Sequence, residues 1–439
     1  MSEFSLFNAA DECLAPYISA RSFDESLILN LLFQQRILLH EAYFFNSSLV
    51  ADHINRACGA PSLFEFAARR GLIIPAFRDK NSIALEQAYQ AMKREGVYGR
   101  SYDLLSPAMQ PLRDRLVASV DIGLQKVRPF YWPTRDEEGE SLGDGYSRVI
   151  RRLLQQDEPP AYVRHDEKRA QLFDRVWELS KRWRYDCIEQ AAARTQQKGA
   201  KGLQRFEIFC TLGWLVGIPQ HNTTISVADI LMRCEDEEEK LAMEIFLKWV
   251  TQCHHLNQAQ TFGTAINFPV YNMEQDFIVD SLLRSPADLP PPPSEGFRCE
   301  VKLPPVDVML KAGAADVVSI RDDLGCGYLA ALTRWQNGPT DENREAAISS
   351  LKDYCDQICA RYERGILQTL LVDYIKGKTS PIKMMRDAGV TLTGKAIPLL
   401  GTFVNVAQSA CVFYRFTRSS KLKSRLNPKT RELEVTLPC

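Results

Sequence analysis

Histidine is scarce in this 439-residue chain, which has only His40, His53, His165, His221, His254 and His255. No two of them fall at the i, i+4 spacing that lets one helix face hold a metal ion. Adjacent His254 and His255 project about 100° apart on a helix, so they read as boundary or core residues and not as ligands. The twelve cysteines include no CxxC pair. Cys355 and Cys359 have metal spacing but no nearby third ligand, and most of the cysteines sit among apolar neighbours, where a free thiol behaves as a small hydrophobe. No GxSxG elbow is present, which leaves a serine hydrolase without its signature. Gly389 to Lys395 fits GxxxxGK, but Ala396 stands where a phosphate loop needs Ser or Thr for magnesium. No metal, cofactor or catalytic residue is therefore expected from motifs. The start, MSEFSLFNAADECL, lacks a basic segment followed by an apolar one, so no secretory signal is expected and a reducing cytoplasm is the expected compartment.

Composition is that of an ordinary globular protein, 45% hydrophobic and 25% charged, with a net charge of −1. A basic field over the whole chain, suited to wrapping nucleic acid, is absent. The basic charge is instead local. After the apolar stretch AIPLLGTFVNVAQSACVFY come Arg415, Arg418, Lys421, Lys423, Arg425, Lys429 and Arg431 with no acid among them. Wound as a helix, the apolar stretch places Phe403 and Tyr414 on one stripe beside this strip. An amphipathic helix followed by a polybasic tail is attracted to an anionic membrane surface or another polyanion, with each basic side chain worth about 1 kcal/mol near the surface. The bland alternative is a docked terminal helix with a solvated tail. As a transmembrane span the stretch is poor, being interrupted by Pro398, Gly401, Asn405 and Gln408.

The expected fold is mainly α with a small N-terminal α/β unit, in two or more domains. Residues 1–135 form the α/β unit, 136–284 a helical domain, 285–296 a linker carrying four consecutive prolines, and 297–439 a second helical domain ending in the basic tail. In the first unit, Ser22 and Glu25 suggest a capping box and RILLHE a strand. AYFFNSSLVADHINRAC and SLFEFAARR suggest helices, with Gly71 as a stop. LIIPAFRD suggests a second strand, held at an edge by Pro75. Further on, QRFEIFCTLGWLVG should be a buried helix, and Leu241, Ile245, Trp249, Cys253 and Leu256 form the stripe of another. The acidic run Glu235 to Glu239 suits the start of that helix. Thr340 should cap a long helix whose seam runs from Ile348 through Leu351, Cys355, Ile358 and Tyr362 to Tyr374.

ILLHEAYFFNSSLVADHI…SLFEFAARRGLIIPAFRD, together with SIRDDLGCGYLAALTRWQ, resembles uncharacterised bacterial proteins of the kind found in anti-phage defence loci. The resemblance implies a role in immunity, as a sensor or effector working with a second protein. The expectation is therefore a non-enzymatic recruitment protein that binds a membrane surface or polyanion and is cytoplasmic or peripheral at a membrane. One alternative is a metal-dependent nuclease-like toxin in which Glu41, Asp52 and Asp79, with Glu65 nearby, converge on a divalent ion. The other is a structural protein whose Ile348–Tyr374 seam packs on another chain.

Overall fold

The computed structural model describes residues 4–15, 18–57, 61–94, 104, 106–132, 146–147, 150, 167–199, 202–220, 225–267, 298–301, 303–304, 306–375 and 432–434. The protein is mainly helical with a small parallel sheet, and it divides into two compact units at Glu295/Gly296.

The first unit is built on five parallel strands: β1 (Phe4–Phe7), β2 (Arg36–His40), β3 (Ile73–Phe77), β4 (Phe130–Tyr131) and β5 (Ala265–Asn267), in the order β4-β3-β2-β1-β5. From β1 the chain steps outward through β2 and β3 to β4, then returns to place β5 on the other side of β1. The apolar runs of β2 and β3 are buried almost throughout, as expected of parallel strands covered on both faces. Pro75 lies in an inner strand and not at an edge. Leu72 and Ala76 turn their carbonyls to β2, so the Pro75 nitrogen faces the β4 side, and β4 pairs only with Ala76 and Phe77. The missing N–H therefore costs no ladder bond.

Between β1 and β2 lies α1 (Ala20–Phe33). Its N-cap is Ser19, not Ser22: the Ser19 hydroxyl accepts from the Ser22 N–H, which places Ser22 in the first turn. The run expected as one helix after β2 is two, α2 (Tyr43–Asn46) and α3 (Ser48–Asn55), because Ser47 leaves helical geometry and caps the second. The next helix, α4 (Leu63–Arg69), starts with a reciprocal capping box between Ser62 and Glu65. It ends at Gly71, whose φ of 74° suits a residue without a Cβ. After β3 come α5 (Leu85–Arg94) and α6 (Gln110–Leu124). Gly123 lets α6 press against α4: a Cβ there would lie 2.0 Å from the Ala68 carbonyl oxygen.

The helices α7 (Glu167–Gln197), α8 (Arg205–Leu215), α9 (Val227–Leu231) and α10 (Glu237–Phe262) pack around Ile188, Ile208, Met243, Phe246, Trp249 and Val250. Asp236 and Glu239 cap the start of α10 with the bland role expected of the acidic run: Glu239 N–H donates to Asp236 and Glu235 N–H to Glu239. This 26-residue helix begins in the helical core and ends on the sheet, where Ala259 and Phe262 cluster with Leu6, Leu38 and Ala76. Gly263, at φ 59°, and a bond from Thr264 N–H to the Ala259 carbonyl stop it in a Schellman arrangement and release β5.

The second unit contains α11 (Val306–Ala312), α12 (Ala314–Leu324), α13 (Cys326–Asn337), α14 (Asp341–Ile375) and a two-stranded antiparallel sheet of β6 (Arg298–Glu300) and β7 (Glu432–Glu434). Thr340 caps α14 through the Asn343 N–H. Leu351, Tyr354, Cys355, Ile358 and Tyr362 are buried within this unit, and the Tyr354 ring stacks on Tyr328 at 5.8 Å. From Leu351 through Tyr362 the seam is thus packed within this unit. No helix among the described residues is long and apolar enough to cross a membrane.

Candidate functional site

In open parallel sheets, ligands bind outside the carboxyl ends of the strands at the point where strand order reverses. Here that point lies between β1 and β5. Side chains alternate along strands, and the register pairs Leu6 with Leu38 and His40 with Ala76. Asn8 and His40 therefore come two residues beyond Leu6 and Leu38 on the face that packs on α10, and Arg78 comes two residues beyond Ala76 on the same face. Phe130 pairs with Ala76, so Trp132 follows in the same row. The carboxyl edge thus carries Asn8 and His40, with Arg78 and Trp132 one step beyond them, on the face that α10 covers.

Behind this row is a buried ionic cluster centred on Asp11, which caps a short 3-10 turn after β1 by accepting from Cys13 N–H. Its Oδ2 accepts from the Tyr43 hydroxyl at 2.8 Å, is ion-paired with Arg205 at the start of α8, and stands 2.9 Å from His255 Nε2 on α10. Burial alone would raise the Asp11 pKa, but the Arg205 charge and the His255 contact hold it well below the usual carboxylate value. Burial likewise lowers the His255 pKa, against the opposing pull of Asp11, and pushes the Tyr43 hydroxyl far up. Asp11 is therefore a fixed negative charge beside a neutral imidazole and a neutral phenol.

Aromatic contacts tie the cluster to the row. Tyr43 lies 6.4 Å from the His255 ring and 5.2 Å from His40, while His40 meets Trp132 edge-on at 4.7 Å and Trp132 meets Phe262 at 5.0 Å. The guanidinium of Arg78 lies 5.5 Å from the centre of the Trp132 ring. Several polar atoms here are buried without a hydrogen-bond partner among the described residues: both amide atoms of Asn8, Trp132 Nε1 and His255 Nδ1. The Gln258 amide, which lies against His255, also makes no hydrogen bond of proper geometry. Native proteins rarely leave such atoms unpaired away from functional sites.

The acids expected to hold a metal are not brought together. Asp52 pairs with Arg56, which also grips buried Asp24 with two hydrogen bonds. Glu65 closes the α4 capping box and pairs with Arg115. Asp79 accepts from Asn81 in an exposed turn, and Glu41 accepts from the Arg78 N–H. No group of three potential metal ligands occurs among the described residues. Phe403, Tyr414, Arg415, Arg418, Lys421, Lys423, Arg425, Lys429 and Arg431, with the Gly389–Lys395 near-motif, lie outside the described residues. Sequence reasoning passed over Asn8, Asp11, Arg78, Trp132, Arg205 and His255 as site residues. The one available signal was Asn-Ala-Ala-Asp directly after a short apolar run. The chain matches no known protein-family model, and no curated protein or solved structure is detectably similar to it.

Proposed function

We propose that residues 1–295 bind a small polar organic molecule at the carboxyl edge of the sheet. Binding there is the sensing step of a recruitment protein whose basic tail engages an anionic surface and which works with a second protein. The observation that carries the reading is the set of buried, unpartnered polar atoms on Asn8, Trp132, His255 and Gln258 along the carboxyl edge of the sheet. The turn after β1 contains Asn8, Ala9 and Ala10 and no glycine, so a ligand is held by side chains and not by close approach of phosphates to the backbone.

Unpartnered polar atoms kept for a ligand weaken the free protein. Asn8→Leu, which removes the amide at similar volume, should therefore raise the melting temperature or leave it unchanged. A stability loss above about 1 kcal/mol would mean the amide is satisfied in the free protein, and the reading would fall. Nucleosides, amino acids and sugar acids screened by thermal shift then identify the ligand class, and any true ligand should lose its shift in Asn8→Leu.

A second reading, that the unit is an enzyme, is favoured by one observation. Asp11 Oδ2 stands 2.9 Å from His255 Nε2, where a carboxylate favours the proton on Nε2 and would leave the Nδ1 lone pair free, as a general base requires. His255→Gln should then lower turnover of an identified ligand by a far larger factor than it weakens its binding.

A further inference from the structure

The surroundings of His40 narrow the ligand class, and this inference rests on the binding reading above. Both ring nitrogens of His40 face donors. Nδ1 accepts from the Ala42 backbone N–H at 3.0 Å, while Arg78 brings Nε and Nη2 to 3.3 and 3.1 Å from Nε2. A neutral imidazole has one lone pair and one N–H, so it can accept at only one of the two. The ring is buried, and its burial together with the Arg78 charge holds its pKa well below the ordinary value, so it is neutral. The Ala42 N–H is fixed by the turn into α2. The Arg78 side chain is 62% exposed and is not fixed by backbone geometry. Nδ1 is therefore the acceptor, Nε2 carries the proton, and the N–H groups of His40 and Arg78 point at one another.

An oxygen anion placed between two such donors accepts from both. We propose that the ligand carries a carboxylate or a phosphate that seats between His40 Nε2–H and the Arg78 guanidinium. Trp132 adjoins both groups and has an indole N–H without a partner, which supplies a third donor. The carboxylate nearest to this place, Glu41, is held by the Arg78 backbone N–H at 3.2 Å. Its Oε1 is ion-paired with Arg78 Nε at 3.9 Å, longer than a hydrogen bond, so the guanidinium N–H groups keep hydrogen-bonding capacity for an added anion. The other nearby charges, Asp11 and Arg205, neutralise each other.

Long-range ¹H–¹⁵N spectra of the histidine side chains in the full-length protein, with His40 assigned by the His40→Gln variant, test this directly. The expected result at pH 7.5 is the Nε2–H tautomer, with saturable shifts on titration with inorganic phosphate or with acetate. The tighter of the two identifies phosphate or carboxylate as the group, and Arg78→Gln should weaken binding at least tenfold. An Nδ1–H tautomer would give Arg78 a proper acceptor and overturn the proposal. So would the absence of any shift with either anion, or equal shifts in Arg78→Gln. None of these results bears on the stability of Asn8→Leu, so the anion subsite and the binding reading fail separately.

Discussion

Removing the charge of Asp11 should expose how the ionic cluster is balanced. Asp11 and Arg205 have side chains only 2% and 19% exposed, and the Tyr43 hydroxyl donates to the same Asp11 oxygen that pairs with Arg205 and faces His255. In Asp11→Asn the amide oxygen still accepts from Tyr43, so the loss falls on Arg205, left as a buried cation without its counter-ion. Breaking a buried pair from one side costs about 3–5 kcal/mol. Arg205→Met alone strands the carboxylate and should cost a similar amount. Asp11→Asn combined with Arg205→Met removes both charges and should cost about 1–3 kcal/mol less than the sum of the single changes. Urea unfolding followed by tryptophan fluorescence measures all three. A Trp335→Phe background confines the signal to the first unit, which holds the other five tryptophans. Strict additivity, or a cost below about 1 kcal/mol for Asp11→Asn, would refute the picture of a desolvated, mutually dependent pair.

Other tests follow from single contacts. Gly123→Ala forces a Cβ against the Ala68 carbonyl and should destabilise by about 3 kcal/mol, the upper end of overpacking, because backbone must move. An unchanged urea midpoint would show that α4 and α6 separate freely. Ser62→Ala removes one arm of the α4 capping box and should cost about 1 kcal/mol, read from the same transition. Because the pKa values of His40 and His255 are depressed by burial, the folded state excludes protons that the unfolded chain binds below about pH 6.5. Stability should therefore fall as pH drops below that value, by up to about 1.4 kcal/mol per pH unit for each ring. Asp24, depressed by His53 and Arg56 against its burial, adds stability that is full above about pH 4 and lost in stronger acid. A urea midpoint that stays flat between pH 7.5 and 5.5 would contradict neutral buried histidines. Reversing Lys421, Lys423 and Arg425 to Glu should abolish co-flotation with anionic liposomes if the tail is the surface anchor; unchanged flotation removes that role.

The sequence makes the long elements legible and hides the site. β2, β3, α4 and α14 carry enough apolar periodicity and capping chemistry to be read directly. β1, β4 and β5, with four, two and three residues, have no measurable period, and without them the strand order and its reversal point are invisible. The site residues are further hidden by separation: Asp11 and Arg205 are 194 positions apart. Arg205 reads as the start of an apolar helix, and His255 reads as half of a divergent pair. That divergence is real, but only one member of the pair needs to reach Asp11. The Glu41, Asp52, Asp79 and Glu65 reading failed for a related reason. Acids near strand ends look alike in sequence, whether they hold a metal or cap a helix, close a turn or pair with an arginine.

The placement of the polar cluster follows from how α10 is used. One continuous helix carries Trp249 and Val250 in the helical core and Phe262 on the sheet, so His255 sits between two apolar anchors on a rigid rod. Rigidity there offsets what the cluster loses by keeping polar atoms of Asn8, Gln258 and His255 without hydrogen-bond partners. A flexible edge would relax and pair those atoms with one another, and the polar surface would be spent internally. On the proposed binding reading, α10 on one side and the ends of β1, β2 and β3 on the other keep them available to a ligand.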